Sequence, residues 1–504
     1  MGIIQKQAIQ STILSYLGTL FGFLNLSILM PKILSIEEIG LLSVVNSLTK
    51  IFAVVFTLGG PLVALNLFNK YKNPKSNHNG FLSLLTFLSL LGIIVGLGIY
   101  FLFHDFIVTN KETQAYKFFT LAFVIIFIFR LLFLNFDAYL RINRKTVIGV
   151  LLERFLAKIL FSISLIALLL GMINFDGIFI SNIIVMSLPG FIILFYLISQ
   201  KEKFFNWENK RRYAVRYKKI IGLSVFGVIG GTGAMFMMEI DRIMVNNMVG
   251  LGATGIYSTM FFFGLFIATP ADNIKRIAAT IIAESWKSKD LDNINDIYKK
   301  SALNLLISGA YLFMGIWFSM DYLLDFLPKE FATGKYIVFF IGLAQLIELA
   351  TGVNAEILVS SKHYKMNTWF IATLIGVVAG LNYIFIPIDG IIGAAYSSMI
   401  SIAFVNLLRF LYLKRKYNFT PFSKSFVQAL FISLIIYGIM SLIPKIPIDF
   451  FGKLNPAIGI LINGGILTIL FWPGIYFSKV SPDINTLIDK LLIRLKLKKN
   501  VVQE

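Results

Sequence analysis

The stretch Ile33-Leu34-Ser35-Ile36-Glu37-Glu38-Ile39-Gly40-Leu41-Leu42-Ser43 has a counterpart 215 residues later, Met248-Val249-Gly250-Leu251-Gly252-Ala253-Thr254-Gly255-Ile256-Tyr257-Ser258. Both stretches follow a long apolar run, and both carry a glycine at the same place, Gly40 and Gly255. Segments that match at a fixed offset indicate an internal repeat. This pair therefore predicts a chain made of two similar halves.

Two further pairs lie at nearly the same offset. Asp176-Gly177-Ile178-Phe179 matches Asp389-Gly390-Ile391-Ile392 at 213 residues, and Pro61 roughly matches Pro270. Three pairs at nearly one offset favour a repeat over chance similarity.

The apolar runs around these stretches define the fold class. Of the 504 residues, 57% are hydrophobic and 14% are charged, whereas soluble domains carry about 25% charged residues. Runs of about twenty apolar residues can each cross a ~30 Å hydrocarbon core, and lipid requires such runs to be helical. The sequence predicts an all-α polytopic membrane protein with about fourteen spans, approximately 9–30, 38–64, 80–103, 117–140, 146–171, 176–199, 220–246, 254–280, 301–320, 335–358, 366–386, 390–413, 424–443 and 456–478.

The repeat divides these spans into two groups of six, with two spans appended. Six is an even number, so both halves begin on the same side of the membrane and the repeat is parallel. Transporters use this architecture and bind substrate between the repeats. The predicted domains are a six-helix bundle at 1–200, a basic cytoplasmic linker at 201–219, a second bundle at 220–413, two additional helices at 424–478 and an amphipathic basic tail at 479–504.

Lysine and arginine set the predicted orientation. With both termini placed in the cytoplasm and with the span bounds given above, the inner segments hold 30 of the 46 Lys and Arg residues and the outer loops hold 5, which follows the positive-inside rule. The net charge of +20 then faces anionic lipid, so no nucleic acid is needed to explain it. The tail is predicted to be a helix lying on the inner membrane surface.

Several kinds of site are not expected. Cysteine is absent, which excludes disulfides and thiolate metal sites, and the three histidines are far apart, so no metal site is predicted. The glycines from 250 to 255 imitate a phosphate-binding loop, yet Ile256-Tyr257 follows where Lys-Ser/Thr is required. Lipid-linked sugar polymerases and ligases carry long outer loops, whereas the longest here are about 104–116 and 321–334. An enzyme is therefore not expected.

The segment Asp241-Arg242-Ile243-Met244-Val245, followed by Gly255-Ile256-Tyr257-Ser258, resembles a pattern of the polysaccharide and O-antigen flippases. These belong to the multidrug/oligosaccharidyl-lipid/polysaccharide exporter (MOP) superfamily, which includes the multidrug transporters called MATE. The segment from Ile33 to Gly40 is similar to the matching first-half pattern. The resemblance implies a MATE-like fold with two bundles around a cavity, lined mainly by the first two helices of each half.

The first span distinguishes branches of that superfamily. Peptidoglycan-precursor flippases carry an Arg-Asp pair in the first helix, and the multidrug branch has a cation-coupling acidic residue there and usually twelve spans. The first span of this chain has no charge after Lys6. Both departures favour the oligosaccharide branch.

Charges inside spans are the candidate site residues, because each costs about 2.5–3.5 kcal/mol on insertion scales. Lys50 lies midway along the second span, on a stripe of small and polar residues at helical spacing that includes Asn46 and Thr57. It is a candidate partner for a diphosphate, and an ion pair with a neighbouring helix is the alternative.

The seventh span carries three more candidates. Arg242 shares a face with small residues and could contact sugar or phosphate. Glu239 lies three residues earlier and can pair with Arg242 along the helix. Asp241 projects elsewhere, and both acids are candidates for ion coupling or gating.

Other charged residues are distributed over the fourth, fifth, eighth and tenth spans. Arg130, Arg154 and Lys158 are candidate cavity cations, and Arg154 and Lys158 are four residues apart and predicted to face one way. Structural ion pairs are the alternative for them. Asp272, Lys275 and Glu348 complete the candidates: Asp272 with Lys275 as an inner gate or an interfacial pair, and Glu348 in ion coupling or a structural bridge.

The sequence thus favours a flippase of the bacterial inner membrane that moves undecaprenyl-diphosphate-linked oligosaccharide to the outer leaflet by alternating access, for surface polysaccharide synthesis. Polysaccharide polymerase machinery is a possible partner. No cofactor is expected, so energy would come from an H⁺ or Na⁺ gradient, the membrane potential or consumption of the product. A multidrug or small-molecule antiporter of the same fold is the alternative.

Overall fold

The computed structural model describes residues 3–72, 77–205, 217–269, 271–444 and 456–494, and all regular structure in those ranges is helical. The chain forms two compact units. Unit 1 comprises Met1–Thr259 and Ile375–Ala394, and unit 2 comprises Met260–Leu374 and Ala395–Glu504. Unit 1 thus includes helices from both predicted halves, and the division of the chain at 201–219 stays a prediction.

Unit 1 is built on eight long helices whose buried aromatic side chains, among them Phe81 and Phe136, form its core. A π-helix, Asn25–Leu29, and a short helix, Met30–Ile33, extend the first of them, and a second π-helix, Val150–Leu156, precedes the sixth. The eight helices are α1 (Ile3–Leu24), α2 (Ile36–Phe56), α3 (Gly60–Tyr71), α4 (Asn77–Leu102), α5 (Phe119–Ile142), α6 (Ala157–Leu169), α7 (Phe175–Ser199) and α8 (Tyr217–Met248).

Unit 2 has a separate apolar core that includes Leu305, Phe313 and Phe471. Two of the helices that follow also contribute to unit 1: the helix Leu251–Leu265 through residues 251–259, and the helix Tyr364–Tyr417 through residues 375–394. The remaining helices are α9 (Leu251–Leu265), α10 (Ala271–Ser288), α11 (Leu291–Leu324), α12 (Lys335–Ala350), α13 (Tyr364–Tyr417), α14 (Lys424–Leu442), α15 (Pro456–Phe477) and α16 (Pro482–Arg494).

Each of the fourteen predicted spans overlaps helical segments of the described chain. Eleven described helices are long and apolar enough to cross a membrane, and one of these, α13, is two helices joined at Gly390, where φ is 56° and ψ is −130°. The predicted spans 146–171 and 220–246 correspond to the continuous helical segment 146–169 and to α8. The protein is therefore a multi-pass membrane protein, and the predicted fold class is confirmed.

Three predicted spans are broken, which the apolar pattern did not reveal. The span at 38–64 separates into α2 and α3 because Leu58 and Gly59 adopt left-handed backbone conformations. The span at 254–280 ends as α9, passes through the 3₁₀ turn Phe266–Ala268 and resumes as α10; Pro270 lies outside the described residues. The span at 335–358 stops with α12 and resumes at Asn354–Ser360, after Gly352 with a φ of 61°.

The repeat is visible in the helix starts. Helix α2 begins at Ile36 and α9 at Leu251, which keeps the offset of 215 residues. At α2 the start is fixed by a capping box: the Glu38 backbone N–H donates to Ser35 Oγ at 3.2 Å, and the Ser35 N–H donates to Glu38 Oε2 at 2.9 Å. Each of the two helices is followed by a break and a second helix.

The basic linker and the tail are only partly described. In the linker, four basic residues lie outside the described ranges: Lys210, Arg211, Arg212 and Arg216. In the tail, α16 is helical as predicted, and the Asp483 carboxylate accepts a hydrogen bond from Asn304 of α11 at 2.9 Å. Residues 495–504 lie outside the described ranges.

Candidate functional site

Helices α2 and α9 cross in unit 1 at two glycines that the repeat makes equivalent. A Cβ atom at Gly40 would overlap the backbone carbonyl of Leu251, and a Cβ atom at Gly255 would overlap the backbone carbonyl of Ile36. Each glycine therefore lies against the first residue of the other helix. Only glycine allows backbones to approach so closely.

A buried carboxylate joins α2 to α8 further along α2. Glu239 Oε1 of α8 lies 2.7 Å from Lys50 Nζ of α2. Its Oε2 lies 2.5 Å from an Arg242 guanidinium nitrogen and accepts a hydrogen bond from Ser47 Oγ at 2.6 Å. The Glu239 side chain is only 9% exposed, so all three contacts are made away from bulk solvent. Lys50 and Arg242, two predicted cavity cations, thus contact one anion.

Three further charged residues lie near this carboxylate. The Arg130 guanidinium of α5 lies 3.4 Å from Glu153 Oε1, in the second π-helix. Lys158 of α6 interacts electrostatically with Lys50, Arg130 and both glutamates. No acidic side chain in the described ranges lies within ion-pairing distance of the Lys158 ammonium group.

We call this group the cationic cluster. Its four cations and two carboxylates leave a surplus of two positive charges among its own members, and of one when the buried Asp241 carboxylate next to Arg242 is included. Its members are Lys50, Arg130, Glu153, Lys158, Glu239 and Arg242.

Arg154 differs from its neighbour Lys158, although the two were predicted to face one way. The Arg154 side chain is exposed, whereas Lys158 is half-buried within the cluster. Arg154 lies in the π-helix Val150–Leu156, whose i→i+5 hydrogen bonds break the four-residue register on which that prediction depended. Its backbone carbonyl lies against Gly18 of α1.

A residue of the first π-helix, Asn25, forms a hydrogen bond with the backbone of Lys158. Asn25 is buried, donates its amide N–H to the Lys158 carbonyl at 3.0 Å, and accepts a hydrogen bond from Ser162 Oγ at 2.7 Å. Sequence reasoning missed this residue. The signal for it was a lone asparagine in an apolar run, where an amide needs buried partners.

Asp241 is fully buried beside the cluster's Arg242. Its Oδ2 accepts a hydrogen bond from the Tyr257 hydroxyl at 2.6 Å, and its Oδ1 accepts one from the Asn382 amide, also at 2.6 Å. These donors come from α9 and α13. Neither Tyr257 nor Asn382 was singled out as a partner from the sequence.

A separate polar network occupies unit 2. Lys275 Nζ of α10 lies 2.9 Å from Glu348 Oε1 of α12. The Asn406 amide of α13 donates to Glu348 Oε2 at 2.6 Å, and its oxygen accepts from Thr351 and Asn354 at 2.9 and 2.8 Å. Lys275 is therefore paired with another helix, and the side chain of Asp272, its proposed partner, lies outside the described residues.

No protein-family model matches the chain, and no curated protein matches it in sequence. Solved structures do match. A lipid II flippase, MurJ, in an inward closed conformation superposes with a TM-score of 0.71 at 16% identity, covering 93% of this chain and 99% of that one. An inward-facing MATE multidrug transporter of the MOP superfamily superposes with a TM-score of 0.61 at 10% identity, over 82% of this chain and 98% of that one. The fold is the MOP fold.

An outward-facing MATE multidrug transporter matches as well, with a TM-score of 0.54 at 12% identity, over 82% of this chain and 96% of that one. The MOP fold is thus shared with flippases and with multidrug transporters. At these identities the likeness concerns the fold alone, so the substrate must be argued from the side chains of this chain.

Proposed function

We propose that this protein is a flippase for undecaprenyl-diphosphate-linked oligosaccharide, working by alternating access in a bacterial inner membrane with both termini in the cytoplasm. The observation that carries the proposal is the cationic cluster, with its surplus of two positive charges and an ammonium group, that of Lys158, without an acidic partner among the described residues.

The charge of the cluster suits a diphosphate. Cations inside a membrane protein are costly and are retained for a function. A lipid diphosphate brings about two negative charges into a medium of low dielectric, where opposite charges attract strongly. Arginine can bind phosphate oxygens in pairs and lysine acts as a point charge. The fold likeness to a lipid II flippase adds support.

Recognition of the sugar, in this proposal, belongs to residues outside the cationic cluster. The charge of the cluster suits the diphosphate, which is the part that lipid-linked substrates with different sugars have in common. We therefore expect the diphosphate to supply most of the binding free energy and the oligosaccharide to vary.

The antiporter alternative draws support from the MATE multidrug transporters that share the fold. It also draws support from Asp241, a buried carboxylate that could bind a coupling H⁺ or Na⁺. The cationic cluster argues against cationic drugs as cargo, because like charges repel in a medium of low dielectric. Asp241 can serve ion coupling in a flippase as well.

Depletion of the protein in its bacterial host tests the proposal. Lipid-linked oligosaccharide should accumulate on the cytoplasmic leaflet, and surface polymer should be lost. Unchanged intermediates together with new sensitivity to cationic compounds would contradict the flippase and favour the antiporter.

A further inference from the structure

The surroundings of Glu239 form a binding site for an anion. Two cations and a hydroxyl donor converge on its carboxylate, at 2.5 to 2.7 Å. Phosphate oxygens are bound in proteins by the same groups: arginine, lysine and hydroxyl donors. The carboxylate therefore occupies a place that is chemically suited to one phosphate group.

We propose that Glu239 is a built-in competitor of the substrate, an inference that rests on the proposed function. In the structure its carboxylate is ion-paired with both Lys50 and Arg242 and offsets one of their two positive charges. When a diphosphate binds, one of its phosphate oxygens replaces the Glu239 carboxylate as the ion-pair partner of Lys50, and the Glu239–Lys50 pair separates. Glu239 is then a specificity-determining residue, since an anion must displace its carboxylate to reach Lys50.

The charge balance favours this exchange. A cation inside a membrane protein that loses its partner is costly, so Lys50 is expected to leave Glu239 only when another anion replaces it. A diphosphate carries more negative charge than a carboxylate. Lys158 and Arg130 lie within electrostatic reach of Lys50 and add to the attraction.

The same exchange couples binding to movement. The Glu239–Lys50 pair connects α8 to α2, and α2 is the helix whose Gly40 packs on the start of α9. Breaking the pair removes one of the connections that hold α2 in place. Substrate binding would then loosen the α2 crossing, and an unloaded protein would keep it.

Binding of farnesyl diphosphate, a short-chain isoprenyl diphosphate, to the full-length protein in nanodiscs tests this inference. Glu239→Gln should bind it about tenfold more tightly than the unsubstituted protein, because no carboxylate has to be displaced. In proteoliposomes the same variant should have a lower KM and a lower kcat. The lower kcat is expected because α2 is no longer released by the substrate.

Glu153→Gln is the matched control. It removes one negative charge from the same cluster but leaves the Glu239–Lys50 pair in place. Its affinity for farnesyl diphosphate should rise by a smaller factor, through long-range attraction alone. Equal gains in the two variants would overturn the inference and attribute the gain to net charge.

Glu239→Asp keeps the charge and shortens the side chain, so it serves if Glu239→Gln does not fold. An aspartate reaches Lys50 less well, and affinity should rise by a few fold. Unchanged or weaker affinity in both Glu239 variants would mean a purely structural pair and would leave the flippase proposal standing. No binding by the unsubstituted protein and by both variants, all correctly folded, would overturn the flippase proposal itself.

Discussion

Gly40 and Gly255 hold equivalent positions in the repeat, and each packs against the backbone at the start of the other's helix. The contact is reciprocal, because the same offset of 215 residues relates Ile36 to Leu251 and Gly40 to Gly255. The equivalent N-terminal turns of α2 and α9 thus pack against each other in a single helix crossing. A contact of this kind follows from approximate twofold symmetry between repeats.

This crossing should not tolerate a methyl group. Gly40→Ala and Gly255→Ala should each destabilise the protein by about 1–3 kcal/mol, as overpacked contacts do, and the two losses should be similar. Thermal unfolding in detergent measures this. Gly98→Ala in α4 is the control, since nothing lies within 4 Å of its added Cβ. Unchanged unfolding temperatures for both Gly40→Ala and Gly255→Ala would refute the crossing.

Lys158 and Arg154 provide a matched pair in the second test. Lys158→Gln should reduce transport of the lipid-linked substrate at least tenfold, because it removes the cation that has no acidic partner in the described chain. Arg154→Gln, four residues away and exposed, should transport normally. Flipping in proteoliposomes, at equal amounts of inserted protein, compares them. Equal activity in the two variants would exclude Lys158 from the site.

Lys50→Gln should abolish transport without loss of the protein from the membrane. The variant keeps the Glu239–Arg242 pair but loses the ammonium group that the substrate would take over. Transport by this variant at the unsubstituted rate would remove Lys50 from the site. Immunodetection in membranes checks that the amount of protein is the same.

Glu239 and Arg242 should behave as a coupled pair. If Glu239→Gln leaves Arg242 buried without its anion, adding Arg242→Gln should restore part of the lost stability. A double-mutant cycle on thermal unfolding should give a coupling free energy of about 0.5–3 kcal/mol. Strictly additive losses would show that the two side chains contribute independently.

Lys275 and Glu348 should matter for stability more than for substrate binding. Glu348→Gln leaves the half-buried Lys275 without its 2.9 Å partner in unit 2, which should lower the free energy of unfolding by about 1–3 kcal/mol. The affinity for farnesyl diphosphate should stay unchanged, because neither residue belongs to the cationic cluster. A large change in affinity with normal unfolding would instead place the pair in the transport cycle.

The sequence predicted the helices well and their breaks poorly. Apolar length alone reveals a span, because lipid imposes one rule on every segment that crosses it. The break at Leu58 and Gly59 depends on two left-handed residues, and a membrane helix can contain glycine without breaking. The two π-helices leave no mark in hydropathy, and one of them separated Arg154 from Lys158.

The candidate charges could be named from the sequence, but their partners could not. Lys50 and Glu239 are 189 residues apart, and only the packing of α2 on α8 brings them together. The Glu239–Arg242 pair could be predicted from the sequence, because side chains three residues apart are neighbours on a helix surface. Asn25 had one signal in the sequence, as a lone asparagine in an apolar run. Tyr257 and Asn382 are neutral and common in such chains, so nothing marked them as hydrogen-bond partners of Asp241.

The ion pair between Glu239 and Lys50 also bears on how well the proposed flippase would exclude small anions when no substrate is bound. Chloride and inorganic phosphate are abundant in any cytoplasm, and a bare set of buried cations would attract both. With Glu239 already in position, a small anion must break the Glu239–Lys50 ion pair before it can bind Lys50. If the proposed function holds, a protein that carries its own counter-ion would limit the leakage of small anions through the membrane when no substrate is bound.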